Sequence, residues 1–300
     1  MRGVAAILTC ALILAGCGGD DDSAEPQGRD RFDAERAFAD LEAQVAIGPR
    51  PAGTPAGKEV AELIAKGFRE AGAGAVRIQR PWRNVVATIP GKEPGTVIVG
   101  AHYDTKVDIG PEFVGANDGA SGVAVLLELA RTLPRPLPGP AVQLVAFDAE
   151  EARGNRPFEV DGTRGSRQFV ELAQAGGKQG APPLERIRAM VLFDMVGDCE
   201  LEIPLEQYSD PGLYSLFADA SESLDGEPDP FMGTATPVLD DHIPFREAGI
   251  PAVDLIDFDY GPGPAPGEWW HDERDTVDKV CAESLDAVGE AALVAIPRIR

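Results

Sequence analysis

The chain has 300 residues and three histidines, and each histidine has carboxylates for neighbours. His102 stands in His102-Tyr103-Asp104, His242 in Asp240-Asp241-His242, and His271 in Trp269-Trp270-His271-Asp272. Imidazole is the commonest protein ligand for zinc, and Asp or Glu completes the ligand set of most catalytic zinc sites. One such histidine would ordinarily be a surface or hydrogen-bonded core residue. Three in this company point to metal chemistry. No Cys-x-x-Cys occurs among the four cysteines, so the metal is expected to be held by nitrogen and oxygen.

Six positions could converge on one site: His102, Asp118, Glu150, Glu151, Asp194 and His271. A catalytic zinc wants three protein ligands and one open position. Five such residues could hold two zincs if one carboxylate bridges. Adjacent Glu150 and Glu151 follow an apolar run, where neighbouring side chains point opposite ways. One can then bind metal while the other faces substrate as a general base; a solvated helix start is the plain alternative. Gly115-Ala116-Asn117-Asp118-Gly119 suits a tight turn into a helix, and Asp118 could equally serve there as an N-cap.

The elements that must position these residues follow from periodicity. Helices are predicted over 55–71, 119–133 and 284–296, and paired strands over 76–89. Buried strands are predicted over 96–101, 142–147, 190–193 and 252–256, the first three running directly to His102 and Asp104, to Asp148-Ala149-Glu150-Glu151 and to Asp194. Apolar strand, then acid or histidine, then helix is the grammar of an open, largely parallel α/β sheet. Such sheets bind ligands beyond the carboxyl ends of their strands.

The first residues read as an export signal. Arg2 precedes a short apolar run ending in Leu14-Ala15-Gly16-Cys17, too short for the ~20 residues a spanning helix needs. Leu-Ala-Gly-Cys resembles a bacterial lipobox, which implies cleavage before Cys17 and lipidation of its thiol. An ordinary signal peptide is the alternative. Residues 1–16 are thus expected to be a lipoprotein signal, 17–31 a polar tether, and 32–300 one catalytic domain. The expected location is outside the cytoplasm, at a membrane surface, as a monomer. A net charge of −23 argues against nucleic acid as a partner. Cys199 and Cys281 remain, and an oxidising compartment would permit a bond between them without establishing one.

His102-Tyr-Asp104, Gly-Ala-Asn-Asp118-Gly, Phe147-Asp-Ala-Glu150-Glu151, Gly165-Ser166-Arg167, Asp194, Asp241-His242 and a late His271 resemble the zinc-dependent M28 peptidase family. The likeness runs from Gly48-Pro-Arg-Pro-Ala-Gly to Asp278. It implies a three-layer α/β/α sandwich around a mixed, mostly parallel sheet. It further implies Asp118, Glu151 and His271 as metal ligands, Glu150 as acid and base, and His102 with Asp194 as possible ligands of a second zinc. Substrates would be peptide or protein N-termini.

That family contains two chemistries. Aminopeptidases use two zincs and water; glutaminyl-peptide cyclotransferases use one zinc and the peptide's own amine. Asp240, where the peptidases usually carry serine, and Trp270, directly before His271, resemble the cyclases. In those enzymes the counterparts of Asp240 and Asp194 hydrogen-bond each other, and the indole walls the glutamine pocket. Read from the residues alone, Asp240 could instead cap a short helix and Trp270 could be core packing. His242 reads as structural, and Lys106 as a surface or ion-paired residue. The chain departs from the animal cyclases at Asp254, where they carry histidine, and at Arg153-Gly-Asn-Arg156, where they carry an aromatic residue. Tyr260-Gly-Pro-Gly-Pro-Ala-Pro-Gly267 is expected to reshape the pocket. The cyclase reading is preferred, with a metallo-aminopeptidase as the alternative.

Overall fold

The structure, a computed structural model, describes Met1, residues 31–224 and residues 228–300. Nearly all of the expected signal segment and of the tether, Cys17 included, therefore lies outside the described residues.

Six strands form one sheet: β1 (Gly74–Ile78), β2 (Val85–Ile89), β3 (Gly91–His102), β4 (Leu137–Phe147), β5 (Ile187–Asp194) and β6 (Ala252–Ile256). Their spatial order is β1-β2-β4-β3-β5-β6, antiparallel for the first two pairings and parallel for the remaining three. The sheet is mostly parallel, as the run of strand-then-acid segments implied, and mixed, as the family resemblance implied.

Alternation along the strands builds two cores. Val97, Val99 and Ala101 of β3, with Val191 and Phe193 of β5, face one side. Ile98 of β3, with Met190 and Leu192 of β5, faces the other. The first side is covered by α1 (Ala34–Val45), α2 (Pro55–Glu70), α3 (Gly122–Thr132), α6 (Pro211–Glu222) and α8 (Ala282–Ala295). The second carries α5 (Arg164–Gln174) and the short α7 (Ile243–Glu247), while the one-turn α4 (Phe158–Asp161) precedes α5. Helix, sheet and helix make the expected three layers. Among the described residues no helix is long and apolar enough to cross a membrane.

Two of the strands extend beyond their predicted runs. β3 begins at Gly91 and β4 at Leu137, so the Pro-rich stretch after α3 enters the sheet instead of ending at its edge. Pro138 and Pro140 are tolerated there because the β3–β4 pairing is irregular between Gly91 and Thr96. Helix starts obey local chemistry: Thr54 Oγ1 accepts from Gly57 N at 3.0 Å ahead of Pro55, and Asp210 accepts from Gly212 and Leu213 ahead of Pro211. Helix α3 lies so close to the sheet that a Cβ on Gly122 would sit 2.2 Å from the Phe193 carbonyl oxygen. That contact brings the loop before α3 over the carboxyl ends of β3 and β5.

Candidate active site

Five segments deliver side chains to that edge. β3 ends at His102, β5 ends at Asp194, and the turn after β4 carries Glu150 and Glu151. Asp118 comes from the loop before α3, and His271 from the long segment after β6. Asp118 and Gly119 break the helical path, Gly119 at φ 97°. A Cβ there would meet His102 Cε1 at 3.0 Å, so glycine serves both the turn and the close approach.

Three buried groups pin the loops. Asp275 accepts from Asn117 N at 2.8 Å and Asp118 N at 3.1 Å, and Tyr260 Oη donates to it at 2.8 Å. Asp104 accepts from Glu150 N at 3.0 Å and Glu151 N at 3.4 Å. The fully buried Arg50 donates to the carbonyls of Tyr103 and Gly115, each at 2.8 Å, and also to that of Val114. Burial lowers the Arg50 pKa to about 10 against the pull of Asp275, Asp118 and Asp104.

The six candidate residues converge. His271 Nε2 lies 3.0 Å from Glu151 Oε1 and 3.4 Å from Asp118 Oδ2. On the other side His102 Nε2 lies 3.1 Å from Asp118 Oδ1 and 3.2 Å from Asp194 Oδ1. Asp118 thus stands between two clusters, Asp118-Glu151-His271 and His102-Asp118-Asp194, each with donor atoms within 4.8 Å of one another. His102 Nδ1 donates to the Asp104 carbonyl at 3.1 Å, which leaves Nε2 to face the cluster.

The donor set fits zinc. Asp118 Oδ2 and Asp194 Oδ1 are buried, and each faces an imidazole nitrogen, at 3.4 and 3.2 Å, without forming a hydrogen bond, a costly state for carboxylates unless a cation meets them. Burial acts to lower the His102 pKa, yet Asp194, Asp104 and Asp118 raise it well above the ordinary value. His271 is likewise raised, burial opposing and Glu151 prevailing. Both imidazole nitrogens therefore sit where positive charge is demanded, and a dication bound by nitrogen and oxygen supplies it.

Around this cluster lies a cavity of about 340 Å³, lined by Glu150, Asp194, Asp240, Trp270, Phe258 and Arg156 among others. A larger depression of about 680 Å³, lined by Asp198, Glu202 and Asp257, flanks Cys199 and contains none of the candidate ligands. Glu150 is only 6% exposed, and burial raises its pKa well above the carboxylate range, opposed by His102. Trp270 lines the cavity, stacks on His271 with centroids 3.8 Å apart, and meets Phe258 edge-on.

The structure separates the readings of Asp240. The N-cap residue of α7 is His242, without a side-chain cap bond, so Asp240 does not cap that helix. Its Oδ1 accepts from Asp241 N at 2.5 Å, and its Oδ2 is buried without a donor. Its carboxyl faces that of Asp254, a contact that becomes a hydrogen bond when one of them carries a proton. Burial, then Asp254 and Asp194, push Asp240 well above its usual range. His242 lies behind, Nδ1 3.6 Å from Asp254 and Nε2 3.3 Å from Glu206, a buried interior residue. Asp241 accepts from Ser166 Oγ, and burial takes it to about 7.

Lys106 is ion-paired, Nζ lying 3.1 Å from Glu151 Oε2. Gly261, Pro262 and Gly263 of the Tyr260–Gly267 stretch line the depression beside Cys199 rather than the cavity, which is reached by Ile256 and Phe258 before the stretch and by Trp270 and His271 after it. Asp275 and the clamping role of Arg50 carry no local signal, since the loop backbones they hold are more than 50 residues away. Cys199 and Cys281 are bonded.

Three comparisons bear on this arrangement. Residues 84–296 match the profile of peptidase family M28. The glutaminyl-peptide cyclotransferase of Boiga irregularis is 26% identical over 240 residues, 70% of this chain and 64% of that protein's length. The crystal structure of an Acidobacteriales bacterium glutaminyl cyclase superposes with TM-score 0.80 at 30% identity, over 95% of this chain and 99% of that one. A Zn-dependent exopeptidase from Parabacteroides distasonis superposes with TM-score 0.73 at 26% identity, over 87% and 97% of the two chains.

Proposed function

The chain belongs to peptidase family M28, and from that premise we propose that it is a zinc enzyme acting on peptide N-termini, a glutaminyl-peptide cyclotransferase. The observation that carries the cyclase reading is Asp240. It is a carboxyl 2% exposed, on the cavity wall, with one oxygen free of any donor and no capping duty.

Held by Asp118, Glu151 and His271, a zinc ion would polarise the γ-carbonyl of an N-terminal glutamine. Everything else falls to the chain's own residues. Glu150 takes a proton from the attacking α-amine, and its elevated pKa suits it to give that proton to the departing nitrogen. The new N–Cδ bond forms, the Cδ–NH2 bond breaks, and ammonia leaves. Asp240 and Asp194 supply acceptor oxygens beside those nitrogens. Trp270 and Phe258 wall the side chain and exclude water, which would otherwise compete with the amine.

A second reading is favoured by one observation, the His102-Asp118-Asp194 cluster sharing Asp118 with the first. A second zinc held by His102, Asp118 and Asp194 would suit an aminopeptidase in which Glu150 activates water. An exported, lipid-anchored location is part of the proposal. Support comes from the Leu14-Ala15-Gly16-Cys17 segment and from the Cys199–Cys281 bond, which belongs in an oxidising compartment.

The test is mass spectrometry of Gln-Phe-Ala and Leu-Phe-Ala incubated with purified protein, alongside zinc per chain. Loss of ammonia from the first, with one zinc, is expected. Free leucine with two zincs would replace the cyclase by the peptidase, and no change in either peptide would end both.

A further inference from the structure

Between Arg153 and Arg167 four arginines face two acids, Glu159 and Asp161, in a chain whose net charge is −23. The segment therefore reverses the sign of the molecule locally, and it lies at the mouth of the active-site cavity, where Arg156 and Phe158 form part of the lining. Its one buried acid is already saturated. Asp161 accepts from Arg153 Nε at 3.0 Å, Arg156 Nη1 at 3.1 Å and Arg164 Nη1 at 2.9 Å. One carboxylate cannot neutralise three guanidiniums.

The three are not equivalent. Arg164 is 11% exposed, donates to the Glu151 carbonyl at 3.0 Å and lies over the Trp82 ring, so its place is structural. Arg153 holds Asp161 through its backbone N–H and both ends of its guanidinium. Arg156 has a side chain 62% exposed, makes a single hydrogen bond through its guanidinium, and is the one of the three that lines the cavity. The other cation lining the cavity, Lys106, is already engaged by Glu151 and the Ala152 carbonyl.

The cavity is consequently bipolar. Its floor is a group of acids that attracts a peptide's terminal amine. Its mouth, past which the rest of the peptide must leave, carries an unsaturated guanidinium beside the exposed Leu239. We propose that Arg156 is a specificity-determining residue, selecting peptides with an acidic side chain at the second or third position from the N-terminus. The inference rests on the reading of the site as one for peptide N-termini, and holds for either chemistry. Guanidinium suits it better than ammonium would, because its planar fork can pair with a carboxylate while one nitrogen stays on Asp161.

The experiment compares kcat/KM for Gln-Glu-Glu-amide, Gln-Ala-Ala-amide and Gln-Lys-Lys-amide, with the matching Leu peptides, in wild type, Arg156→Lys and Arg156→Glu. The wild type is expected to favour the acidic over the basic peptide, and the ratio to shrink as salt is raised. An exposed pair is worth a factor of about two to five, so Arg156→Glu should lower the acidic-to-basic ratio by at least that factor. Arg156→Lys should retain most of it. Because each ratio is taken within one variant, loss of folded protein cancels. Should Arg156→Glu fail to fold, the salt dependence of the wild-type ratio decides. Turnover with a ratio indifferent to salt and to Arg156 overturns this inference and leaves the proposed function standing. Failure to turn over any of the peptides overturns both.

Discussion

Lys106 Nζ stands 3.1 Å from Oε2 of Glu151, while His271 Nε2 stands 3.0 Å from Oε1 of the same carboxylate. One oxygen is thereby tied to an ammonium and the other left toward the candidate ligand cluster. A free carboxylate would rotate or bind through both oxygens; this one is oriented. Lys106 is also anchored to the Ala152 carbonyl at 3.2 Å, so the pair is fixed to the backbone of its own turn.

Lys106→Met should weaken zinc binding by about tenfold, the lower end of what losing such an orienting partner costs. Competition with a chromophoric chelator measures it directly. Affinity equal to wild type would show that the pair is incidental.

Glu150 and Asp240 line the cavity without joining either ligand cluster. Glu150→Gln should retain zinc while turnover falls by roughly 100-fold or more, the usual worth of a positioned base. Asp240→Ser separates the chemistries: cyclisation should fall by a similar factor, whereas hydrolysis of Leu-Phe-Ala should be little affected. Zinc analysis accompanies both assays, and loss of metal from Glu150→Gln would move Glu150 into the ligand set.

Cys199 and Cys281 close a loop across 82 positions of sequence. The bond lies beside the site's supports, since Cys281 N donates to Gly197 O at 3.0 Å and Gly197 N to Asn117 Oδ1 at 2.7 Å. The double variant Cys199→Ser, Cys281→Ser should lose about 2–4 kcal/mol. In a domain of this size that is a fall of roughly 4–16 °C in Tm. Calorimetry reads it, and an unchanged Tm would mean that packing alone holds the two segments together.

Asp257 gives a pH dependence away from the metal cluster. Burial takes its carboxyl up to about 7, although Glu202 N at 2.9 Å and Asp259 N at 3.1 Å hydrogen-bond it and act to lower it. In the unfolded chain it titrates near ~3.9. The folded protein therefore keeps a proton that the unfolded chain has released, and this contribution is full below the unfolded value and fades as pH rises toward 7. Asp257→Asn cannot titrate, so the stability of wild type relative to the variant should be higher at about pH 5 than at about pH 8. Urea unfolding of both proteins at the two values tests this. A pH-independent difference would mean that Asp257 is ionised throughout.

What the chain declared by itself was whatever depends on near neighbours. A short apolar run reads as a buried strand, so His102 and Asp194 could be set at strand ends and Glu150 just beyond one. The order of the motifs carried the family resemblance. Helices α1 and α6 carry a weak periodic signal because their buried faces are short, Ala37, Leu41 and Gln44 in the first and Leu213, Phe217, Ala220 and Ser221 in the second.

Folding alone decided which distant groups meet. Asp275 reaches across 157 positions to Asp118, and Glu151 across 120 to His271. Asp254 proved to be the carboxyl facing Asp240, since β6 and the turn before α7 converge only in three dimensions. The same holds for Arg156 at the cavity mouth and for the cysteine pair. A side chain's type and its place in a strand are local properties, whereas its partner is set by the register and layering of the whole sheet.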